Sequence, residues 1–181
     1  PHRALAVEES SAEFWAVVMN DLAEGYHYPG EVRFEINQMT LAEYRLAADF
    51  LNMSQVDVAC LQHEFGIFGG DNGAYIIDLL SNLRMPVVTT LHTVLQEPTP
   101  AQTTVLKRIA QISDRLIVMS QRAKSILQEV YGVPRGKIFM IHHGIPDVPF
   151  IDPNYYKDQF GVEGRKVILS FGLLSPGKGL E

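Results

Sequence analysis

Apolar positions along this 181-residue chain fall into two alternating kinds of segment: short runs rich in β-branched residues, and longer stretches with an apolar residue every three or four positions. Residues 4–7 (Ala-Leu-Ala-Val) are the first strand candidate. Ser10-Ser-Ala-Glu13 has the form of a capping box, and Phe14, Val17, Val18 and Leu22 behind it recur at helical spacing, which predicts a helix. Residues 32–36 alternate apolar and polar, as a strand near a sheet edge does. Thr40-Leu-Ala-Glu43 is a second capping box and predicts a helix through Leu51. Residues 56–61 are the next strand, and Tyr75, Ile76, Leu79, Leu80 and Leu83 mark a helix after a glycine-rich loop. A strand over residues 86–91 precedes Thr99-Pro100, an N-cap followed by a proline at the first helical position, ahead of Val105, Leu106, Ile109 and Ile112. Residues 115–119 are a strand with Ser120 as the cap of the helix bearing Ala123, Ile126, Leu127 and Val130. Residues 137–141 are one more strand, and Asp152-Pro153 starts a short helix ending near Gly161.

Regular alternation of strand and helix predicts an α/β fold: a Rossmann-like, doubly wound, mostly parallel sheet with helices on both faces. The proline-rich stretch 146–153 reads as a domain boundary. Beyond it, residues 166–171 read as a strand and residues 172–179 as the turn leaving it. Only Leu180 and Glu181 follow that turn, and the first residue is Pro1 rather than methionine, so the expectation is a piece of a longer protein.

Composition narrows the function. A formal charge of −6 without a Lys/Arg cluster argues against a nucleic-acid surface. A hydrophobic fraction of 46% is too high for a disordered chain, and no apolar run approaches the ~18–20 residues that span a bilayer. The single cysteine, Cys60, rules out an internal disulfide framework and suits a reducing, cytoplasmic location.

In an open parallel sheet, ligands bind beyond the carboxyl ends of the strands. Gln62-His63-Glu64 follow one predicted strand, His92-Thr93 the next, Ser120 the third and His142-His143-Gly144 the fourth, so four of the six histidines fall at one sheet edge. Each has a plainer reading beside it. His142 is expected to bond a neighbouring carbonyl, leaving His143 to face the cleft. Glu64 is equally a solvated loop acid, Ser120 a helix cap and Cys60 a small core residue. Gly69 and Gly70, in the loop before a helix, could offer backbone N–H groups to a ligand or simply provide flexibility. Gly172, Lys178 and Gly179, at a strand exit, would suit a diphosphate or be an exposed turn. Three functions remain open on these residues. They are acid–base or hydrogen-bonding chemistry by the imidazoles, a metal-dependent α/β hydrolase using His63, Glu64, His92 and His143, and a carbohydrate-binding module without catalysis.

Five motifs in order carry a family resemblance: Gln62-His-Glu-Phe-Gly-Ile-Phe-Gly-Gly70, Val88-Thr-Thr-Leu-His-Thr93, Asp114-Arg-Leu-Ile-Val-Met-Ser120, Ile141-His-His-Gly-Ile145 and Ser170-Phe-Gly-Leu-Leu-Ser-Pro-Gly-Lys-Gly179. Together they resemble the retaining GT-B-fold glycosyltransferases of family 4, also called glycosyltransferase group 1. The resemblance implies an acceptor-side Rossmann-like domain over residues 1–150 with its first strand missing, a linker over 151–165 and the start of a donor domain over 166–181. It implies His92 as the catalytic histidine near the transferring sugar, with His63, Glu64, Gly69, Gly70, Ser120, His143 and Gly144 as substrate-binding candidates. Gly172, Lys178 and Gly179 match the loop that holds the donor diphosphate, and no metal is implied. The donor would be a nucleotide-diphosphate sugar, bound as substrate rather than cofactor. The acceptor would be a sugar, polysaccharide or lipid, which leaves room for membrane association. The family's donor-loop arginine is Leu173 here and its paired glutamates lie beyond Glu181, so the chain by itself is expected to be inactive.

Overall fold

The computed structural model describes residues 11–145 and 148–170 and divides after Gly144 into two units. In the first unit every strand pairing is parallel. Strand β1 (Ala16–Asn20) pairs with β2 (Val32–Asn37), and β3 (Ala59–His63), β4 (Val87–Leu91), β5 (Arg115–Val118) and β6 (Ile138–Met140) form a four-stranded sheet in sequence order. Helices α1 (Leu41–Met53), α2 (Tyr75–Asn82), α3 (Pro100–Ile112) and α4 (Gln121–Glu129) connect them, and a 3-10 turn, Asp71–Gly73, leads into α2. Parallel sheets with alternating helices make this the expected Rossmann-like α/β fold.

The main departure is at the start. The segment expected to be a helix from Phe14 to Leu22 contains strand β1 instead, with Val17 opposite Phe34 and Met19 opposite Ile36. Adjacent β-branched Val17 and Val18 favour a pleated ladder, and Leu22, which a helix would bury, is 40% exposed in the turn beyond it. Glu13 does not cap a helix; it pairs with Arg33 of β2. The strand candidate at residues 4–7 lies outside the described residues.

Local chemistry explains the other element starts. Thr99 and Gln102 form a reciprocal capping box at α3 with Pro100 at the first helical position, and the Ser120 hydroxyl accepts from the Ala123 N–H at α4. At α1 the box is displaced. Thr40 caps nothing with its side chain, while Asn37 Oδ1 accepts from the Met39 N–H and the Glu43 carboxylate accepts from the Asn37 N–H.

Two hydrophobic clusters hold the unit together. Ile36, Tyr44, Ala47, Ile76, Leu80, Val105 and Ile109 belong to the first; Leu91, Leu106, Leu116, Val118, Leu127 and Ile138 belong to the second. Helix α3 contributes to both, because Val105 and Ile109 lie on one side of its stripe and Leu106 and Ala110 on the other. In the four-stranded sheet the buried residues Val87, Thr89, Leu91, Leu116, Val118 and Ile138 share one face, against α3 and α4. On the opposite face Cys60, Gln62 and Phe139 are exposed among the described residues. Cys60 is therefore not the core residue expected; it sits on the outward-facing half of the β3 alternation.

The second unit contains α5 (Pro153–Gln159), whose first turn is capped by Asp152. The strand expected at residues 166–171 is absent over the described positions 166–170, where Ile168 is 99% exposed and no neighbouring backbone completes a ladder. Phe171 and the loop carrying Gly172, Lys178 and Gly179 lie outside the described residues.

The glycine-rich loop after β3 is fixed by one tyrosine. The buried Tyr44 hydroxyl of α1 accepts from the Gly69 N–H at 2.8 Å and donates to the Gln38 carbonyl at 2.9 Å. Removing this hydroxyl leaves a donor and an acceptor unpaired in a closed space. Tyr44→Phe is expected to lower stability by about 1–3 kcal/mol, read as a lower denaturant midpoint at unchanged slope; an unchanged midpoint would contradict the bridging role.

Candidate functional site

The carboxyl ends of β3 and β4 are tied together by backbone and side chains. The His92 N–H donates to the His63 carbonyl at 3.0 Å, extending the parallel ladder one step past β4. The Gln62 amide oxygen lies 2.9 Å from His92 Nε2. One residue further, the Thr93 hydroxyl donates to Glu64 Oε2 at 2.8 Å, and Glu64 Oε1 accepts from the Phe65 N–H. The loop leaving His92 is held from below, where the Tyr131 hydroxyl donates to the Leu95 carbonyl at 3.0 Å.

The expected histidine rim is only partly assembled. His92 and His143 are exposed, and their ring centroids lie 6.5 Å apart at 76°. His143 Nδ1 is 2.6 Å from the Gly144 carbonyl, so the ring bonds its neighbour's backbone through a protonated Nδ1. That is the role expected of His142, which instead is simply exposed. Both follow β6 in irregular backbone, where strand alternation no longer decides which way each points.

His63 lies elsewhere. It is fully buried, stacked on Phe68 with centroids 5.9 Å apart and meeting the edge of Phe65 at 5.1 Å. Among the described residues neither ring nitrogen has a hydrogen-bond partner. The cause is the length of β3. The strand runs through His63 rather than stopping at Leu61, so alternation directs Ala59, Leu61 and His63 inward and Cys60 and Gln62 outward. Its ring is thus separated from the exposed pair. Gln62, which sequence reasoning left aside, takes its place beside His92. Parallel register could have found it: Gln62 opposes Thr90, and His92 is two residues further along the same face.

Gly69 and Gly70 serve close packing. A Cβ on Gly69 would collide with the Gln38 carbonyl, and its N–H is already taken by Tyr44. Gly70 has φ +79° and faces the Tyr75 ring, 2.5 Å from where a Cβ would be. Gly144 is exposed after His143, and Ser120 is occupied as the α4 cap. Among the described residues no three His, Cys, Asp or Glu side chains converge to hold a metal ion, so the hydrolase alternative finds no ligand set there. No described helix is long and apolar enough to cross a membrane.

Burial holds the His63 imidazole down at about 4; nearby Glu64 opposes this weakly and His92 reinforces it. The unfolded ring protonates near its ordinary value of 6.5, so between the two values the unfolded state binds more protons. Stability is therefore full above about pH 6.5 and falls as the pH drops towards 4, by a total on the order of 3 kcal/mol. His63→Phe is expected to flatten this part of the stability profile; an unchanged acid slope in urea titrations from pH 7 to 4.5 would refute the assignment.

No curated protein matches the chain significantly. The family model described as Glycosyltransferase Family 4 matches residues 16–147, from the first residue of β1 to just past the His143-Gly144 turn. That span is more than half of the chain and includes all six described strands, His92 and His143, and the chain belongs to glycosyltransferase family 4.

Proposed function

We propose that this chain is the acceptor-side domain of a retaining glycosyltransferase whose donor is a nucleotide-diphosphate sugar and whose acceptor is a sugar, polysaccharide or lipid hydroxyl. A glycosyltransferase role follows from the family, and with it binding of a donor and an acceptor. The observation that carries the finer reading is the presentation of His92: an exposed imidazole at the carboxyl edge of a parallel sheet, braced by Gln62 and flanked by His143. An open sheet collects its ligand at that edge.

In such a transfer the bond between the anomeric carbon and the phosphate oxygen breaks, the sugar passes through an oxocarbenium-like state, and the acceptor oxygen bonds the same carbon. The acceptor proton leaves with the diphosphate. His92 would hold the transferring sugar by hydrogen bonding, which fixes the reacting carbon against the acceptor. The Gly172, Lys178 and Gly179 loop would neutralise the departing phosphates through backbone N–H groups and one ammonium, with no resident cofactor or metal in the scheme. Glu64, through its bond to Thr93, braces the loop after His92. The single cysteine and the use of a nucleotide sugar fit a cytoplasmic location.

The test measures nucleoside diphosphate release from a panel of nucleotide sugars by the protein carrying both acceptor-side and donor-side domains, with the product linkage assigned by NMR. Unaltered protein is expected to give a product of retained anomeric configuration. His92→Ala is expected to lower turnover by about 10²-fold or more while the donor still binds. Full activity in that variant, an inverted product, or turnover abolished by chelation would each reject the reading.

A further inference from the structure

Gln62 and His92 face each other across the β3–β4 pair for a geometric reason. The register sets Gln62 against Thr90, and the period of two puts His92 on the same outward face. Their contact joins the amide oxygen of Gln62 to Nε2 of the ring at 2.9 Å. A carboxamide oxygen accepts and cannot donate, so the proton of the bond belongs to Nε2. A neutral imidazole carries one N–H, which leaves the lone pair on Nδ1. Among the described residues no protein group bonds Nδ1. The backbone that carries the ring is fixed, because its N–H is committed to His63 and the following residue is tied to Glu64.

We infer that Gln62 is a positioning residue: it holds His92 in the Nε2–H tautomer and so reserves Nδ1 as an acceptor for a hydroxyl donated by the bound sugar. The identity of that hydroxyl rests on the proposed sugar-transfer role, whereas the tautomer is a property of this chain alone. The consequence for specificity is directional. An Nδ1 acceptor selects a ligand group that donates and disfavours an ether or carbonyl oxygen at the same place, since that oxygen would meet the lone pair without a proton between them. The titratable groups around this ring are His143 at its edge, Glu64 on the neighbouring loop and the enclosed His63.

The decisive measurement is the imidazole nitrogen spectrum of the histidine-labelled 181-residue chain near pH 7.5, recorded without donor or acceptor. The unaltered chain is expected to show a protected N–H at Nε2 of His92 and a bare, pyridine-type Nδ1. Gln62→Leu removes the acceptor, and Gln62→Asn withdraws it by one methylene; both should lose the protected N–H to exchange with water. Gln62→Glu should keep it, because a carboxylate oxygen accepts the Nε2–H from the same side-chain length. The backbone spectrum of each variant reports its folding, and the asparagine and glutamate variants decide the matter if the leucine variant unfolds. A proton found on Nδ1 in the unaltered chain overturns the inference, as does a protected Nε2–H that survives in the Asn or Leu variant. Because no substrate is present, a failed tautomer assignment leaves the transfer reading standing, and an absence of transfer leaves the tautomer result intact.

Discussion

The hydrogen bond from the His92 N–H to the His63 carbonyl prolongs the β3–β4 ladder one step beyond β4. It has the ordinary strength of a backbone bond, about 1 kcal/mol net. Its structural reach is larger, because it carries the pleat out to the sheet edge and so decides which side each residue there occupies. With the pleat maintained, His63 turns inward between Phe65 and Phe68, and Gln62 and His92 turn outward together. If the strand ended two residues earlier, these orientations would be unconstrained. One backbone rung thus separates a buried neutral imidazole from an exposed one.

The same edge shows how a loop can be rigid without regular structure. Glu64 spends both carboxylate oxygens locally, on Thr93 and on the Phe65 amide. Gln38 gives its amide to the carbonyls of Gly66 and Ile67, while Tyr44 bridges Gly69 to Gln38. The glycines permit the close approach that these bonds require, so the loop is shaped by packing from α1 and the β2 exit. Polar residues that read as ligand contacts in isolation are here largely the means by which the backbone is satisfied.

Much of this was legible in the amino-acid order. Apolar stripes at helical spacing located α1 to α4, and Thr99-Pro100 and Ser120 marked helix starts that the side chains confirm. Strand alternation also announced the edge at which His92 lies. The failures share one cause, which is that a short apolar run does not carry its own partner. Residues 16–20 satisfied a helical spacing as well as a β-branched run, and only the ladder to β2 decides between them. Residues 166–170 looked like a strand, yet no pairing completes one there. His63 and Cys60 exchanged environments relative to expectation because the outward and inward halves of β3 depend on a register invisible in one segment. Gln62 was not singled out as a site residue because its significance comes from a residue thirty positions away.

Helix α3 touches both hydrophobic clusters, with Val105 and Ile109 in one and Leu106 and Ala110 in the other. Adjacent residues of a single rigid rod are therefore bound into separate interiors, and neither interior can open without shifting the rod that seals its neighbour. This makes α3 a mechanical coupler: through its packing it links the β1–β2 pair to the β5–β6 pair, which share no hydrogen-bonded strand.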